Sequence, residues 1–399
     1  MLNASQGTDP VTVIKDTSPW GTMSPLVPSV VYFPPGQERP VVGSRAKSKI
    51  KSDPDNVIYN SKRFIGRDSA DQAFTSEADS HGFNISSLPS RKLPFLSLLA
   101  FNPPNSGEPV TPEEVGTHVV NYLLDMCRAH LGYAVKNAVV AVPAKFTQHQ
   151  REAASLSFKN AGLKVTRMLD EPTAAALAYG LHRIPTIHHI LVYDFGGGTL
   201  DVSLLHVSDG YVEVVGTDGD DLLGGADFDD AIAEYLWSKM SPTVRVSPSA
   251  LSKCPPPTST PFCTHSDLFP LSEKLKISMT ALSSSPRKKS SDPAVATQAC
   301  MYIVDQDSCS TTTHNLTLSI AEYDKVTQPL LRRAVLPIRS LLSSLSLPAS
   351  IIDEVVMVGG TSRIPQVRDV VKKETKKDKL NTHIDPDITV AYGCAQVID

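Results

Sequence analysis

The sequence predicts an α/β protein with two lobes, and three observations support this class. The chain has 399 residues, of which 41% are apolar, so it can form two lobes with separate cores. Short runs rich in Val and Ile alternate along it with longer segments whose apolar residues recur three or four positions apart. No internal repeat of fixed period interrupts this alternation, which is typical of α/β folds.

The individual elements follow from these patterns. The predicted strands are short, rich in Val and Ile, and bounded by turn residues: PSVVYF from Pro28, NAVVAVP from Asn137, HHILVYDF from His188, YVEVVG from Tyr211 and DEVVMVGG from Asp353. The predicted helices carry the amphipathic period and begin near Glu113, Phe146 and Phe228.

Two polar stretches break the alternation. Residues 241–266 are crowded with Pro and Ser, and residues 283–297 are rich in Ser and Lys. We expect loops or disordered insertions there, because so little apolar surface cannot offset the entropy of the chain. Between them, EKLKISM from Glu273 is expected to form one helix end or a strand.

Charge and cysteine content argue against several classes of protein. The formal net charge of −4 and the pI near 6.3 provide no basic surface for a nucleic acid. The six cysteines include no C-x-x-C pair and no grouping at zinc spacing, which argues against a disulfide framework or a metal site. The run LPFLSLLAF from Leu93 is too short to cross a bilayer, so no transmembrane segment is expected.

Three consecutive glycines lie between two apolar runs in ILVYDFGGGTLDVSLL, which begins at Ile190. This pattern predicts a hairpin whose glycines, at 196–198, bring bare backbone N–H groups to a phosphate. Asp194, Thr199 and Asp201 flank the bend, and carboxylates beside a polyphosphate suit Mg²⁺. An ordinary glycine-rich hairpin is the alternative. The motif is neither a Walker loop, since it lacks Gly-Lys-Ser/Thr, nor a dinucleotide fingerprint, since a strand follows it.

Two further motifs place glycines or an acid at a strand end. The strand that reaches Val358 breaks at Gly359 and Gly360 before a predicted helix, which suits the ribose and phosphates of a nucleotide. A plain strand-to-helix turn is the alternative. Glu171, just ahead of Pro172, can direct its carboxylate into a cleft to hold a metal-bound or attacking water, or it can simply cap the helix.

Taken together, the motifs YDFGGGTLDVSLL, DEPTAAALAYGL, LLGGADFDD, VVMVGGTSRIP, SKRFIGR and AVVAVPAKFTQHQREA resemble the ATPase domain of the 70-kDa heat-shock chaperone (DnaK-like) family. The resemblance runs from about Val11 to Asp399 and implies the two-lobed actin-like ATPase fold, of ribonuclease-H-like topology, with a central nucleotide cleft. Lobe I is expected at residues 1–183, with 383–399 returning to it, and lobe II at 184–382. No match to the family's β-sandwich substrate-binding domain follows.

The resemblance also implies roles for particular residues, with ATP or ADP and Mg²⁺ as cofactors. The catalytic residues it implies are Lys62, Glu171, Asp194 and Thr199. The metal site it implies comprises Asp194, Asp201 and Glu171. The nucleotide contacts it implies are Gly196, Gly197, Gly198, Gly224, Gly225, Glu273, Lys276, Gly359, Gly360, Arg363 and Asp387. Ile277 departs from the family pattern, which commonly has an arginine stacked on adenine there.

Within the family, EKLKISM and RRAVLPIRSLL are most similar to the microsome-associated, ATPase-only branch called Stch. That branch implies the lumen of the endoplasmic reticulum, with the cytoplasm as the alternative. The N-terminus, MLNASQGTDP, has neither a secretory signal nor the family's first phosphate loop, a Gly-Ile-Asp-Leu-Gly-Thr-Thr hairpin. We therefore expect a truncated product or incomplete gene model that binds adenine nucleotides poorly and hydrolyses ATP near background.

Two classes of function follow. The first is a chaperone-type ATPase that assists protein folding, with co-chaperones or nucleotide-exchange factors as partners. The second is a catalytically impaired module that binds nucleotide or a partner protein; an actin-like filament protein ranks well behind both. Two triplets, beginning at Asn84 and Asn315, match the N-glycosylation sequon, but such triplets arise often by chance.

Overall fold

The computed structural model describes residues 11–17, 21, 23–50, 52–67, 83–89, 97–254, 261–284 and 295–397. The chain is mixed α/β and divides into two compact units. Unit 1 comprises residues 1–178 and 387–399, and unit 2 comprises residues 179–386. In the described part of the chain, no helix has the length and apolar character that a membrane span requires.

The strands of the described residues are Asp16–Thr17, Met23–Ser24, Val31–Tyr32, Val41–Val42, Val57–Ile58, Ile85–Pro89, Ser97–Phe101, Asn137–Val142, Lys164–Asp170, His189–Phe195, Leu200–Ser208, Tyr211–Asp220, Val295–Asp305, Ser310–Ser319 and Glu354–Val358. The α-helices are Ser44–Lys47, Pro112–Leu131, Gln148–Asn160, Glu171–Ala178, Gly225–Lys239, Pro248–Lys253, His265–Ser284, Ile320–Ala334, Leu336–Ser344, Pro365–Thr375 and Thr389–Ala395. The five predicted strands and three predicted helices are confirmed, with shifted ends.

In unit 1, a parallel strand pair leads into the helix that carries Glu171. Asn137–Val142 pairs in parallel with Lys164–Asp170, and Glu171–Ala178 begins at the very next residue. This short helix packs closely on Thr389–Ala395: a Cβ added at Gly393 would lie 1.8 Å from the carbonyl oxygen of Ala174. The lack of a side chain at position 393 therefore sets how closely the two helices approach.

In unit 2, a four-stranded sheet carries the glycine motifs at its edge. The strand order is Tyr211–Asp220, Leu200–Ser208, His189–Phe195 and Glu354–Val358, with the last pair parallel and the others antiparallel. The predicted hairpin around the three glycines is thus confirmed. The sheet's apolar residues form one buried core with the helices Leu336–Ser344 and Pro365–Thr375.

Unit 2 contains two disulfides, one of them within a second buried core, so the prediction that argued against a disulfide framework is wrong. Cys254 pairs with Cys309, and Cys263 pairs with Cys300, at Cα separations of 5.4 and 5.0 Å. The partners are 55 and 37 residues apart. Sequence spacing cannot reveal such pairs, because they depend on how residues outside the hairpin of Val295–Asp305 and Ser310–Ser319 pack along it, as Phe262 does beside Met301.

The expectation for the Pro/Ser-rich stretches is overturned in part, because residues 241–247 form a loop but the helix Pro248–Lys253 follows. Between residues 241 and 254, the side chains of Val244, Val246 and Ala250 are buried in the second core. EKLKISM is neither a helix end nor a strand but lies inside the helix His265–Ser284. A few apolar residues at the right positions suffice to anchor a segment of polar composition. Residues 255–260 and 285–294 lie outside the described residues.

Candidate functional site

Two of the predicted glycine motifs pack directly against each other in unit 2. The backbone N–H groups of Gly225 and Ala226 donate to the carbonyl oxygens of Gly196 and Gly197, at 3.1 and 2.9 Å. A Cβ added at Gly224 would lie 2.4 Å from the Cα of Gly198 and 2.5 Å from the carbonyl carbon of Gly197. The two segments can meet at this distance only because neither carries a side chain.

A third segment joins these two. Gly359 has a φ of 79°, and a Cβ added there would lie 2.4 Å from the carbonyl oxygen of Phe195 and 2.8 Å from Oδ1 of Asp194. Gly360 opens the 3₁₀ turn that follows. From that turn, the Thr361 hydroxyl donates to the carbonyl oxygen of Gly196 at 2.8 Å.

We call this arrangement the glycine cluster, defined as Gly196, Gly197, Gly198, Gly224, Gly225, Gly359 and Gly360. It unites all seven glycines that the sequence assigned to a nucleotide. Around Gly197 there is open space, since a Cβ added there would meet no atom within 4 Å. Backbone without a side chain beside open space allows close approach of an anion such as phosphate.

Two carboxylates oppose each other beside the cluster. Asp194 and Asp201 are register partners on antiparallel strands, and the Thr199 hydroxyl donates to Oδ2 of Asp201 at 3.4 Å. Like charges directly opposite on a sheet destabilise it unless a cation lies nearby. No group of three or more His, Cys, Asp or Glu side chains able to hold a metal occurs among the described residues. Mg²⁺ fits such a site, because it is usually held by one or two carboxylates, waters and the phosphates of its substrate.

Lys276 reaches the cluster from the helix His265–Ser284. Its ammonium group donates to the carbonyl oxygen of Gly225 and to Oδ2 of Asp229, both at 2.8 Å. Burial raises the pKa of Asp229 to about 6, although the charge of Lys276 lowers it. Glu273, one turn earlier on the helix, also raises that pKa. On the same helix, Ile277 is 61% exposed.

Asp229 is a residue that sequence reasoning missed. It lies in the first turns of Gly225–Lys239, and its second oxygen, Oδ1, is buried without a protein hydrogen bond in the structure. The acidic run ADFDD that follows the glycine pair contains it. That run alone cannot select Asp229 among three acids, because the choice depends on which of them faces Lys276.

The two remaining nucleoside residues lie in different units. Arg363, at the end of the turn that Gly360 opens, forms an ion pair with Asp385, and both side chains are 41% exposed. Asp387 lies in unit 1, in the turn ahead of the helix Thr389–Ala395. The structure therefore places Arg363, but not Asp387, in the unit of the glycine cluster.

Unit 1 brings together the other two predicted catalytic residues. Nζ of Lys62 lies 2.7 Å from Oε1 of Glu171. Lys62 occupies the 3₁₀ turn Ser61–Arg63 and is 64% exposed, whereas Glu171 is 17% exposed. Burial, together with the negative charge of Glu171, raises the pKa of the Cys394 thiol to about 11. The pair presents a cation that is held by a largely buried carboxylate.

Comparison with known proteins gives one consistent result. Residues 8–398 match the model of the family described as Hsp70 protein. The chain is 35% identical over 381 residues to a protein of Guillardia theta named chaperone protein dnaK. The match covers 92% of this chain and 53% of that relative, so the chain spans about half the length of the curated relative it matches.

Proposed function

The chain belongs to the Hsp70 family, and we propose that it is a chaperone-type ATPase that binds ATP and ADP with Mg²⁺, hydrolyses ATP and thereby assists protein folding. The observation that carries the proposal is the glycine cluster. Glycines from three separate segments meet there: an added Cβ would clash at Gly224, Gly225 and Gly359 and would fill open space at Gly197. Gly224, Gly225 and Gly359 allow the three segments to pack closely, and the open space at Gly197 lets a phosphate approach the backbone.

Binding in unit 2 follows from the groups around the cluster. We assign the phosphates to the open space beside Gly197, and the nucleoside to the segment from Gly359 to Arg363. Asp194 and Asp201 hold Mg²⁺, directly or through water, and the metal neutralises charge on the phosphates. Lys276 neutralises further negative charge from its place beside Gly225.

Hydrolysis requires a positioned water and a cation at the phosphate that leaves. We assign Lys62 to this task, with Glu171 fixing its ammonium group by the 2.7 Å ion pair. Phosphoryl transfer depends almost entirely on positioning and charge stabilisation, so a lysine held by a buried carboxylate suits it. Thr199, hydrogen-bonded to Asp201, orients the groups at the metal.

We propose further that the chain belongs to the Stch branch and acts in the lumen of the endoplasmic reticulum. The segments EKLKISM and RRAVLPIRSLL support the branch. Two disulfides support the compartment, because such bonds persist in oxidising surroundings. Co-chaperones and nucleotide-exchange factors are the partners expected of this family.

Calorimetry with ADP and ATP, with and without Mg²⁺, followed by single-turnover hydrolysis, tests the proposal. For the chain extended upstream by the family's first phosphate hairpin, we expect Mg²⁺-dependent binding that Asp194→Ala weakens at least tenfold, and phosphate release that Lys62→Ala slows about 10²-fold to 10³-fold. The control is Asp378→Ala, an acid outside the site. Binding without turnover would favour the alternative, an impaired nucleotide-binding or partner-binding module. Absence of binding would refute both.

A further inference from the structure

One sequon lies on an exposed face of a strand. The triplet from Asn315 to Thr317 is part of the strand Ser310–Ser319, in which Leu316 and Leu318 are buried in the second core of unit 2. Successive side chains of a strand point to opposite faces. Asn315 and Thr317, the two residues a glycosylating enzyme reads, are accordingly both exposed.

The surface around Asn315 has room for a large substituent. Its register partner on the neighbouring strand is Ala299, and Thr317 faces Thr297. Small side chains thus surround the amide, and an attached group would point to solvent without displacing the core. The other sequon differs, because its Ser86 hydroxyl donates to Oδ1 of Asn102 at 3.2 Å.

The same hairpin carries half of each disulfide. Cys300 lies on the strand Val295–Asp305, and Cys309 lies in the turn between the strands. Their partners, Cys254 and Cys263, lie outside the hairpin. Disulfides are rare in reducing compartments and form in the secretory lumen, where N-glycosylation also occurs. The disulfides therefore point to the compartment in which an exposed sequon is glycosylated.

We propose that Asn315 is a site of N-linked glycosylation. An oligosaccharide is transferred from a polyprenyl diphosphate donor to the Asn315 side chain. A bond forms between the amide nitrogen and the anomeric carbon, the bond from that carbon to the diphosphate breaks, and the amide nitrogen loses a proton. The hydroxyl of Thr317 supplies the second recognition element. This modification does not depend on ATP turnover by the chain.

Peptide mapping of the protein isolated from its own cells tests the proposal. Treatment with peptide N-glycosidase in heavy-oxygen water converts a glycosylated asparagine into aspartate that carries the heavy isotope. We expect the label at Asn315. Recovery of the 315 peptide with an unmodified asparagine in untreated protein would overturn the proposal, whatever the ATPase assays give.

A variant series expressed in a eukaryotic secretory host isolates the sequon. Asn315→Gln and Thr317→Ala are expected to lose the glycan, whereas Thr317→Ser is expected to keep it. Both positions are exposed, so the variants are expected to fold, and thermal unfolding checks this directly. Asn84→Gln is the matched control at the other sequon. A glycan that survives Thr317→Ala would also overturn the assignment.

Discussion

Lys62 donates a hydrogen bond to Glu171 at 2.7 Å, across 109 residues of sequence. The lysine is largely exposed and the glutamate is largely buried, so the buried partner fixes the position of the mobile one. An exposed ion pair contributes little to stability. The pair therefore serves to place the ammonium group rather than to hold unit 1 together.

The first prediction concerns this lysine. Lys62→Ala is expected to lower the single-turnover rate of ATP hydrolysis by about 10²-fold to 10³-fold, as for other removed stabilising donors, with a much smaller effect on ADP affinity. The melting temperature should stay within a degree or two. The rate is measured both on this chain and on a version that carries the family's first phosphate hairpin upstream. Lys62→Ala is then compared with its parent in the version that hydrolyses ATP.

Arg63→Ala is the matched control for that experiment, since it changes the adjacent cation. It is expected to retain most of the rate. An equal loss of rate in both variants would show that hydrolysis depends on the combined positive charge of Lys62 and Arg63 and not on Lys62 in particular. A loss of ADP affinity as large as the loss of rate would place Lys62 in ground-state binding instead.

The second prediction separates the structural glycines from the ligand-facing one. Gly224→Ala forces a Cβ to within 2.4 Å of backbone atoms of Gly198, so we expect a loss of about 1–3 kcal/mol in the free energy of unfolding. The methyl group of Gly197→Ala enters open space, so this variant should have the same free energy of unfolding as the parent. It should nevertheless weaken ADP binding at least tenfold, because its methyl group occupies the space where phosphate approaches.

Denaturant unfolding and calorimetry on the two variants test this contrast. Normal ADP binding by a folded Gly197→Ala protein would contradict the phosphate assignment. Normal stability of Gly224→Ala would instead contradict the packing described for the cluster. Calorimetry thus tests the phosphate site, and denaturant unfolding tests the packing of the cluster.

Much of this site could be predicted from sequence, because glycine leaves a direct chemical signature. A glycine triplet between two strands and a glycine pair after a third have few structural purposes, and the structure brings both to one cluster. Asp229 left no such signature. Its importance comes from a contact with Lys276, which is 47 residues away, and the sequence offers two neighbouring acids of similar promise.

The disulfides and the second core illustrate the same limit. Composition predicts solvent exposure for residues 241–254, but burial is decided by a few positions such as Val244 and Val246. Cysteine spacing predicts only local frameworks, whereas the pair of Cys263 and Cys300 depends on a bridge between Phe262 and Met301. Contacts between segments that are distant in sequence depend on the tertiary fold, so they cannot be deduced from the spacing of apolar residues or cysteines.

The third prediction concerns Asp229 and pH. Its pKa in the folded state, about 6, lies above the ordinary value of 3.8, so the folded state keeps the proton to a higher pH than the unfolded state does. This group alone should therefore lower the free energy of unfolding as pH rises from about 4 to about 6. Over the same range its ionised form gains the ion pair that holds the Lys276 ammonium group beside Gly225, and we expect this positioning to outweigh the added negative charge, so that the affinity for ADP rises.

Asp229→Asn removes both effects. We expect ADP binding about tenfold weaker than the parent at pH 7.5, and a difference that narrows toward pH 5, where the parent is protonated. The titration of the nucleotide is common to both proteins and cancels in the ratio of the two affinities. A ratio that stays constant with pH would show that Asp229 does not act through its charge.

The last prediction concerns acid stability. Lys239, the backbone N–H of Ser319 and the hydroxyl of Tyr235 lower the pKa of Glu322 from its ordinary value of 4.5 to about 2. Because the folded pKa is depressed, this carboxylate stabilises the protein fully above about pH 4.5, and that contribution is lost as pH falls toward 2. Glu322→Gln keeps the helix cap but removes the charge, so we expect a loss of about 1 kcal/mol at pH 7, discounted for solvent screening.

The loss should shrink steadily as the pH of the unfolding experiment is lowered from 5 to 3, because Glu322 of the unfolded parent takes up a proton over this range while the folded parent stays largely ionised. The matched control is Glu374→Gln, which breaks the ion pair with the exposed Arg339 and should leave the acid limb of the stability curve unchanged. A loss for Glu322→Gln that is equally large at pH 3 and pH 7 would mean that shape rather than charge at position 322 stabilises the second core.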